Sequence, residues 1–91
     1  MSKATVRQMP AFKRAYKKLH PDQKDAVNEA IRAIIADPAI GEPERGDLAG
    51  VYVYKFDVAG QRMLLAYEWD PNQRLLLALV VHENFYRDLK W

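Results

Sequence analysis

Between residues 51 and 69, core-type and opposite-face side chains change places at every step, in two runs separated by a glycine-containing turn. In the first run Tyr52, Tyr54 and Phe56 alternate with Val51, Val53, Lys55 and Asp57. In the second, Met63, Leu65, Tyr67 and Trp69 alternate with Arg62, Leu64, Ala66 and Glu68. A period of two sends successive side chains to opposite faces of a strand, so each run reads as a β-strand with one aromatic-rich face to bury. Whether the faces agree depends on the turn around Ala59 and Gly60, because changing a loop by one residue flips every side chain that follows. A two- or four-residue loop unites the aromatic and aliphatic sets on one core face and puts Lys55 and Arg62 together on the other. The even loop is therefore expected.

Residues 75–81, LLLALVV, do not alternate, which fits a strand with neighbours on both sides or cover on both faces. With residues 70–74 as a turn, Trp69 pairs with Leu75, and the same ladder brings His82 opposite Arg62. The chain then becomes abruptly polar, delivering His82, Glu83, Tyr86 and Arg87, and is expected to end in a short helix or turn.

The first half has a different rhythm. Residues 5–8 suit a short strand, and Pro10 starts a helix in which Phe12, Ala15, Tyr16 and Leu19 fall at i, i+3, i+4 and i+7. Lys13, Arg14, Lys17 and Lys18 occupy its opposite face. His20-Pro21 interrupts it, since proline disfavours helical backbone in the residue before it and suits the first turn of a new helix. A second helix is expected over residues 22–36, with Asp22 and Asp25 near its positive end and Val27, Ile31, Ile34 and Ile35 on its buried stripe, stopped by Asp37-Pro38. Gly41, Pro43, Gly46 and Gly50 mark residues 39–50 as a loop. It is no domain boundary, because neither half can build a core alone. The expectation is one α+β domain over residues 1–91, with an N-terminal helical hairpin packed on one face of a small twisted antiparallel sheet.

Composition removes several chemistries. The chain has no cysteine, which excludes disulfides, thiolate catalysis and cysteine-based zinc sites. Its two histidines, His20 and His82, are far apart and lack a ligand cluster, so neither metal nor cofactor is expected. The longest apolar run, residues 75–81, is too short to span a bilayer, and the first ten residues lack a secretory apolar segment; a cytoplasmic protein without membrane attachment is expected. Net charge is only +2, yet the first twenty residues hold six Lys and Arg and no Asp or Glu. That asymmetry suits a polyanion or an acidic partner.

Cations, an imidazole and a phenol at strand ends are the parts a metal-free phosphodiester site needs. RNA cleavage requires a 2′-hydroxyl to lose its proton, a phosphorane to be stabilised and the 5′-oxygen to be protonated. His82 titrates near neutrality and can move either proton. Lys55 and Arg62 can hold the phosphate, Arg62 through a fork of donors, and Tyr86 can stack a base. Each also has a structural role open to it. Lys55 can pair with Asp57 or Glu68, Arg62 can pair with Asp57 across the hairpin, His82 can end a strand, Tyr86 can anchor the C-terminal segment, and Lys13 to Lys18 can simply be a solvated face.

The order of these parts, with FKRAYKKL in the first helix, RGDLAGVYVYKF and GQRMLLAYEW in the strands and VVHENFYRDL at the end, resembles the RelE/ParE superfamily of toxins from bacterial type II toxin-antitoxin pairs, over nearly the whole chain. The resemblance implies an endoribonuclease that cleaves mRNA on the ribosome, or alternatively a ParE-type inhibitor that binds DNA gyrase without nuclease activity. For the ribonuclease it implies catalytic roles for Lys55, Arg62, His82 and Tyr86, with Lys13, Arg14, Lys17, Lys18, Arg45 and Arg87 as RNA-binding cations. Val53 stands where some ribonucleases carry a basic residue. A cognate antitoxin is implied as partner, in a possible toxin-antitoxin hetero-oligomer, and it would meet the basic first helix and the apolar surface expected at Val51, Val53, Leu64 and Ala66.

Overall fold

The structure, a computed structural model, describes residues 4–58 and 60–81. A short strand β1 (Thr5–Gln8) leads into helices α1 (Pro10–Lys17) and α2 (Pro21–Ala36), followed by strands β2 (Glu42–Pro43), β3 (Tyr52–Val58), β4 (Gln61–Asp70) and β5 (Gln73–Val81). The five strands form one sheet in the order β1-β5-β4-β3-β2. The expected short helix or turn at the C-terminus lies outside the described residues, as do His82, Tyr86 and Arg87.

The helices follow their sequence signals. Pro10 and Pro21 occupy first-turn positions, where a missing N–H costs nothing. His20 caps α2, and its backbone N–H donates to Gln23 Oε1 at 2.8 Å. Tyr16 Oη donates to Asn28 Oδ1 at 3.0 Å, tying α1 to α2. Both helices cover the same face of the sheet. Phe12, Val27, Ala30 and Ile34 form one buried cluster with Val58, Met63, Leu65, Tyr67, Leu76 and Leu79, and Tyr52, Tyr54, Phe56 and Trp69 pack around it. The stripe of α2 thus runs 27, 30, 31, 34; Ile35, assigned to it from the sequence, lies outside this cluster, and Ala30 takes its place.

The sheet corrects the antiparallel expectation. β3, β4 and β5 form the antiparallel meander, but β1 runs parallel to β5, making the sheet mixed. A parallel neighbour needs a long crossover, and here both helices and the remaining strands lie between the two partners. β2 lies within the segment whose glycines and prolines predict a loop; its two residues pair with Tyr52 and Val53 and close the far edge.

The hairpin loop is even, because Val58 pairs with Gln61. The turn after β4 is shorter than expected. Asp70 pairs with Gln73, leaving Pro71 and Asn72 as the link, and Trp69 faces Arg74 rather than Leu75. A register shift between Ala66 and Tyr67 then restores the expected alignment, so that Ala66 pairs with Ala78 and Met63 with Val81. A β-bulge of this kind adds one residue to one strand and exchanges its faces from there on.

Arg74, placed in a turn by sequence, is instead buried in β5 at 6% exposure. Its Nε donates to Ile34 O and its Nη2 to Ile35 O, both at 3.1 Å, while Nη1 donates to Asp70 O at 2.7 Å. The last carbonyls of a helix lack intrahelical donors. One guanidinium supplies them here and binds α2 to the sheet.

Candidate functional site

The face turned away from the helices carries the charged chemistry. Residues directly opposite each other in a ladder share a face. Glu42 pairs with Val53, which pairs with Ala66, which pairs with Ala78. The next row is Lys55, Leu64 and Val80, and beyond it Asp57 pairs with Arg62. Lys55 and Arg62 are therefore on one face, as the even loop requires.

Both cations hold carboxylates. Lys55 Nζ lies 3.1 Å from Glu42 Oε1, and Arg62 Nε donates to Asp57 Oδ1 at 2.6 Å. The Arg62–Asp57 pair is the cross-strand pair open to it from sequence; Lys55 pairs with neither Asp57 nor Glu68 but with β2. Glu42 is not among the residues the sequence singles out, because its two-residue strand lies in a segment with loop composition. The only signal for it was Glu42-Pro43 ahead of an alternating run, and that does not set a register. All four side chains are substantially exposed, Lys55 at 39% and Arg62 at 44%, so an incoming anion can compete for the cations.

A buried hydroxyl positions Glu42. Tyr67 Oη donates to Pro38 O at 2.6 Å and accepts from Gly41 N, the residue before Glu42, at 3.0 Å. Burial pushes the Tyr67 hydroxyl above its ordinary pKa of 10.0, opposed by the Gly41 hydrogen bond. Gly41 is required by proximity: a Cβ there would stand 2.7 Å from Tyr67 Oη and 3.0 Å from Val53 O.

The remaining expected residues separate. Lys13, Arg14, Lys17 and Lys18 are exposed on α1, which covers the opposite face of the sheet from Lys55 and Arg62, so the two sets do not form one patch. Arg45 is exposed in the segment after β2, lining a cavity with Glu44, Asp47 and Leu48. Val53 and Leu64, expected as exposed apolar surface, are buried at 7% and 2%. Leu64 lies in the middle strand, hemmed in by Lys55 on one side and Val80 on the other, whereas Val51 and Ala66 are half-buried. Among the described residues no group of three or more His, Asp or Glu is placed to hold a metal ion, and no helix is long and apolar enough to cross a membrane.

Two helices on one face of a five-stranded mixed sheet, with a charged opposite face, define the α+β architecture of RelE-like toxins. A chain of the crystal structure of the toxin-antitoxin complex RelBE2 from Mycobacterium tuberculosis is 27% identical, with 86% of this chain and 96% of that chain covered and a TM-score of 0.73. The intact RelBE toxin-antitoxin complex of E. coli gives 14% identity, 84% and 93% coverage and a TM-score of 0.67. The YoeB dimer from Staphylococcus aureus gives 21%, 85% and 94%, and 0.66. These last two likenesses are of fold. No curated protein matches the sequence. The family model for the ParE-like toxin of type II bacterial toxin-antitoxin systems matches residues 6–90, and the chain belongs to that family.

Proposed function

We propose that this toxin is a metal-independent endoribonuclease that cleaves mRNA on the ribosome and is neutralised by a cognate antitoxin. The observation that carries the reading is the side-by-side placement of Lys55 and Arg62 on the open face, each on an exchangeable carboxylate. A scissile phosphate displaces Glu42 and Asp57 from the two cations, and Arg62 binds its oxygens through the guanidinium fork. The phosphorane is then stabilised by fixed positive charge. The 2′-oxygen attacks phosphorus as its proton passes to a base, and the P–O5′ bond breaks as the leaving oxygen takes up a proton.

Two groups serve these transfers: the Glu42 carboxylate, freed from Lys55, and the His82 imidazole, in the residue after Val81, which pairs with Met63 beside Arg62. Tyr86 as a base-stacking residue and Arg87 as an RNA-binding cation complete the reading. The α1 cations Lys13, Arg14, Lys17 and Lys18 lie on the other face of the sheet, and together with Arg45 they contact ribosomal RNA as a sequence-independent electrostatic footing.

A second reading, a ParE-type gyrase inhibitor acting by binding, is favoured by one observation: Lys55 and Arg62 are each already neutralised by a carboxylate. Inducing the chain without its antitoxin, while following protein, DNA and RNA synthesis separately, decides between them. Translation stopping first, with cut transcripts, is expected. Replication stopping first over intact transcripts refutes the nuclease reading.

A further inference from the structure

The sheet edge built by β2 and β3 is closed over only part of its length. Among the described residues β2 pairs with Tyr52 and Val53 alone, and residues 54–58 of β3 have a ladder partner on the β4 side only. Glu44 N donates to Val51 O at 2.8 Å, so the peptide groups of Val51 point toward β2. In an antiparallel ladder such outward groups recur at every second residue. The N–H and C=O of Lys55 and Asp57 therefore point away from β4, past the end of β2, and no strand among the described residues takes them.

The side chains of this edge have a two-fold pattern. Lys55 and Asp57 flank Phe56 and are exposed on the open face of the sheet. On the helix side of the same strand Tyr54 and Phe56 stack with ring centroids 5.8 Å apart and are only half-buried. A strand edge guarded by charges of one sign repels a second copy of itself. Here the signs are opposite and equally spaced about Phe56, so a copy laid antiparallel with Phe56 at the centre sets each Lys55 against an Asp57. The same register makes positions 55 and 57 hydrogen-bonded pairs, as their outward peptide groups require, and brings the two Phe56 side chains together in the closer, non-hydrogen-bonded pair.

We propose that residues 54–58 of β3 are an interface between two copies of this chain, joined edge to edge about a two-fold axis at Phe56 into one continuous sheet. Lys55 N donates to the partner's Asp57 O, the partner's Asp57 N donates to Lys55 O, and the two-fold repeats both bonds. The Lys55 ammonium faces the partner's Asp57 carboxylate across the seam, and Tyr54, Phe56 and Val58 of the two chains cover one another on the helix side. The fold limits the register at both ends. Beyond residue 54 the edge is taken by Glu42 of β2, and beyond Val58 the partner strand turns back through Gly60 into its own β4. Charge complementarity favours a second copy over RNA, whose phosphates are repelled by Asp57 and have no use for the outward carbonyls. The pairing does not depend on the nuclease reading.

Sedimentation equilibrium of the full chain is the test. The native chain should approach twice the mass of one chain as its concentration rises. Lys55→Asp makes both positions acidic and Asp57→Lys makes both basic, so each variant alone should dimerise about tenfold or more weakly. Both side chains are exposed, so circular dichroism should be unchanged. Mixed in equal amounts, the two variants restore opposite charges at every pair and should associate with each other about as well as the native chain does with itself. In the native dimer the Lys55 and Asp57 amides should exchange with solvent about tenfold or more slowly than at dilutions where the chain is monomeric. A native chain that stays monomeric at every concentration, a dimer indifferent to either charge reversal, or variants that fail to associate on mixing overturns the interface and leaves the proposed function standing. Protection of the Lys55 and Asp57 amides that appears only when a short single-stranded RNA is added to a monomeric chain assigns the edge to nucleic acid and also overturns the proposal.

Discussion

Removing one oxygen atom, in Tyr67→Phe, tests how the open face is built. The Tyr67 side chain is fully buried, and its hydroxyl bridges Pro38 O at 2.6 Å and Gly41 N at 3.0 Å. Phenylalanine fills nearly the same volume, so packing is kept while a buried carbonyl and a buried N–H lose their partner together. Each orphaned group costs about 1–3 kcal/mol, and partial hydration near the surface brings the total to roughly 2–3 kcal/mol. For a domain of this size that is roughly a third of the whole stability, or a fall of about 10–20 °C in Tm. Urea unfolding followed by tryptophan fluorescence gives the free energy, and calorimetry gives Tm.

A pH series adds a second signature. The folded pKa of Tyr67 is raised above 10.0, so its contribution is complete below about pH 10 and is lost as pH rises through the folded value. The variant should therefore lack part of the alkaline decline shown by the native chain. A free energy within about 0.5 kcal/mol of native, with the alkaline decline intact, refutes the idea that this hydroxyl holds the segment carrying Glu42.

Arg74→Ala should cost about 3 kcal/mol in urea unfolding, because the carbonyls of Ile34, Ile35 and Asp70 lose charge-assisted donors. Arg74→Lys should recover only part of it, since one ammonium cannot reproduce the fork. Gly41→Ala should lower stability by about 1–3 kcal/mol through the contact with Tyr67 and Val53; equal stability by calorimetry would contradict the close approach. Glu42→Gln removes the counter-charge of Lys55 without removing volume. On the nuclease reading it should tighten binding of a cleavage-blocked RNA while lowering the cleavage rate, and equal changes in both would contradict a proton-accepting role.

Much of the fold was written in local periodicity. The stripe of α1, the stripe of α2 apart from Ala30 standing in for Ile35, the proline starts, the alternation of β3 and β4 and the even hairpin all depend on side chains within a few residues of each other, and these are found as expected. What escaped depends on distant partners. The parallel pairing of β1 with β5 joins residues more than sixty positions apart, and two residues of β2 carry no periodicity at all. Arg74 looked like a turn residue because it follows Asp70-Pro71-Asn72; only the end of α2, far away in sequence, shows why a guanidinium is buried there. The bulge in β5 hides in LLLALVV, where any residue can be the extra one.

For the candidate site, the shared face of Lys55 and Arg62 was legible from the loop parity, and so was the Asp57 partner of Arg62. Glu42 and the Tyr67–Gly41 bond that positions it were not.

The most direct measurement is cleavage of mRNA on programmed ribosomes by the purified chain, with Arg62→Ala and Lys55→Ala beside it. The native chain should cut the ribosome-bound transcript in the presence of a chelator, and each variant should lose about 10²-fold or more in rate with unchanged unfolding curves. An intact transcript with the native chain, or cleavage at an undiminished rate in both variants, contradicts it.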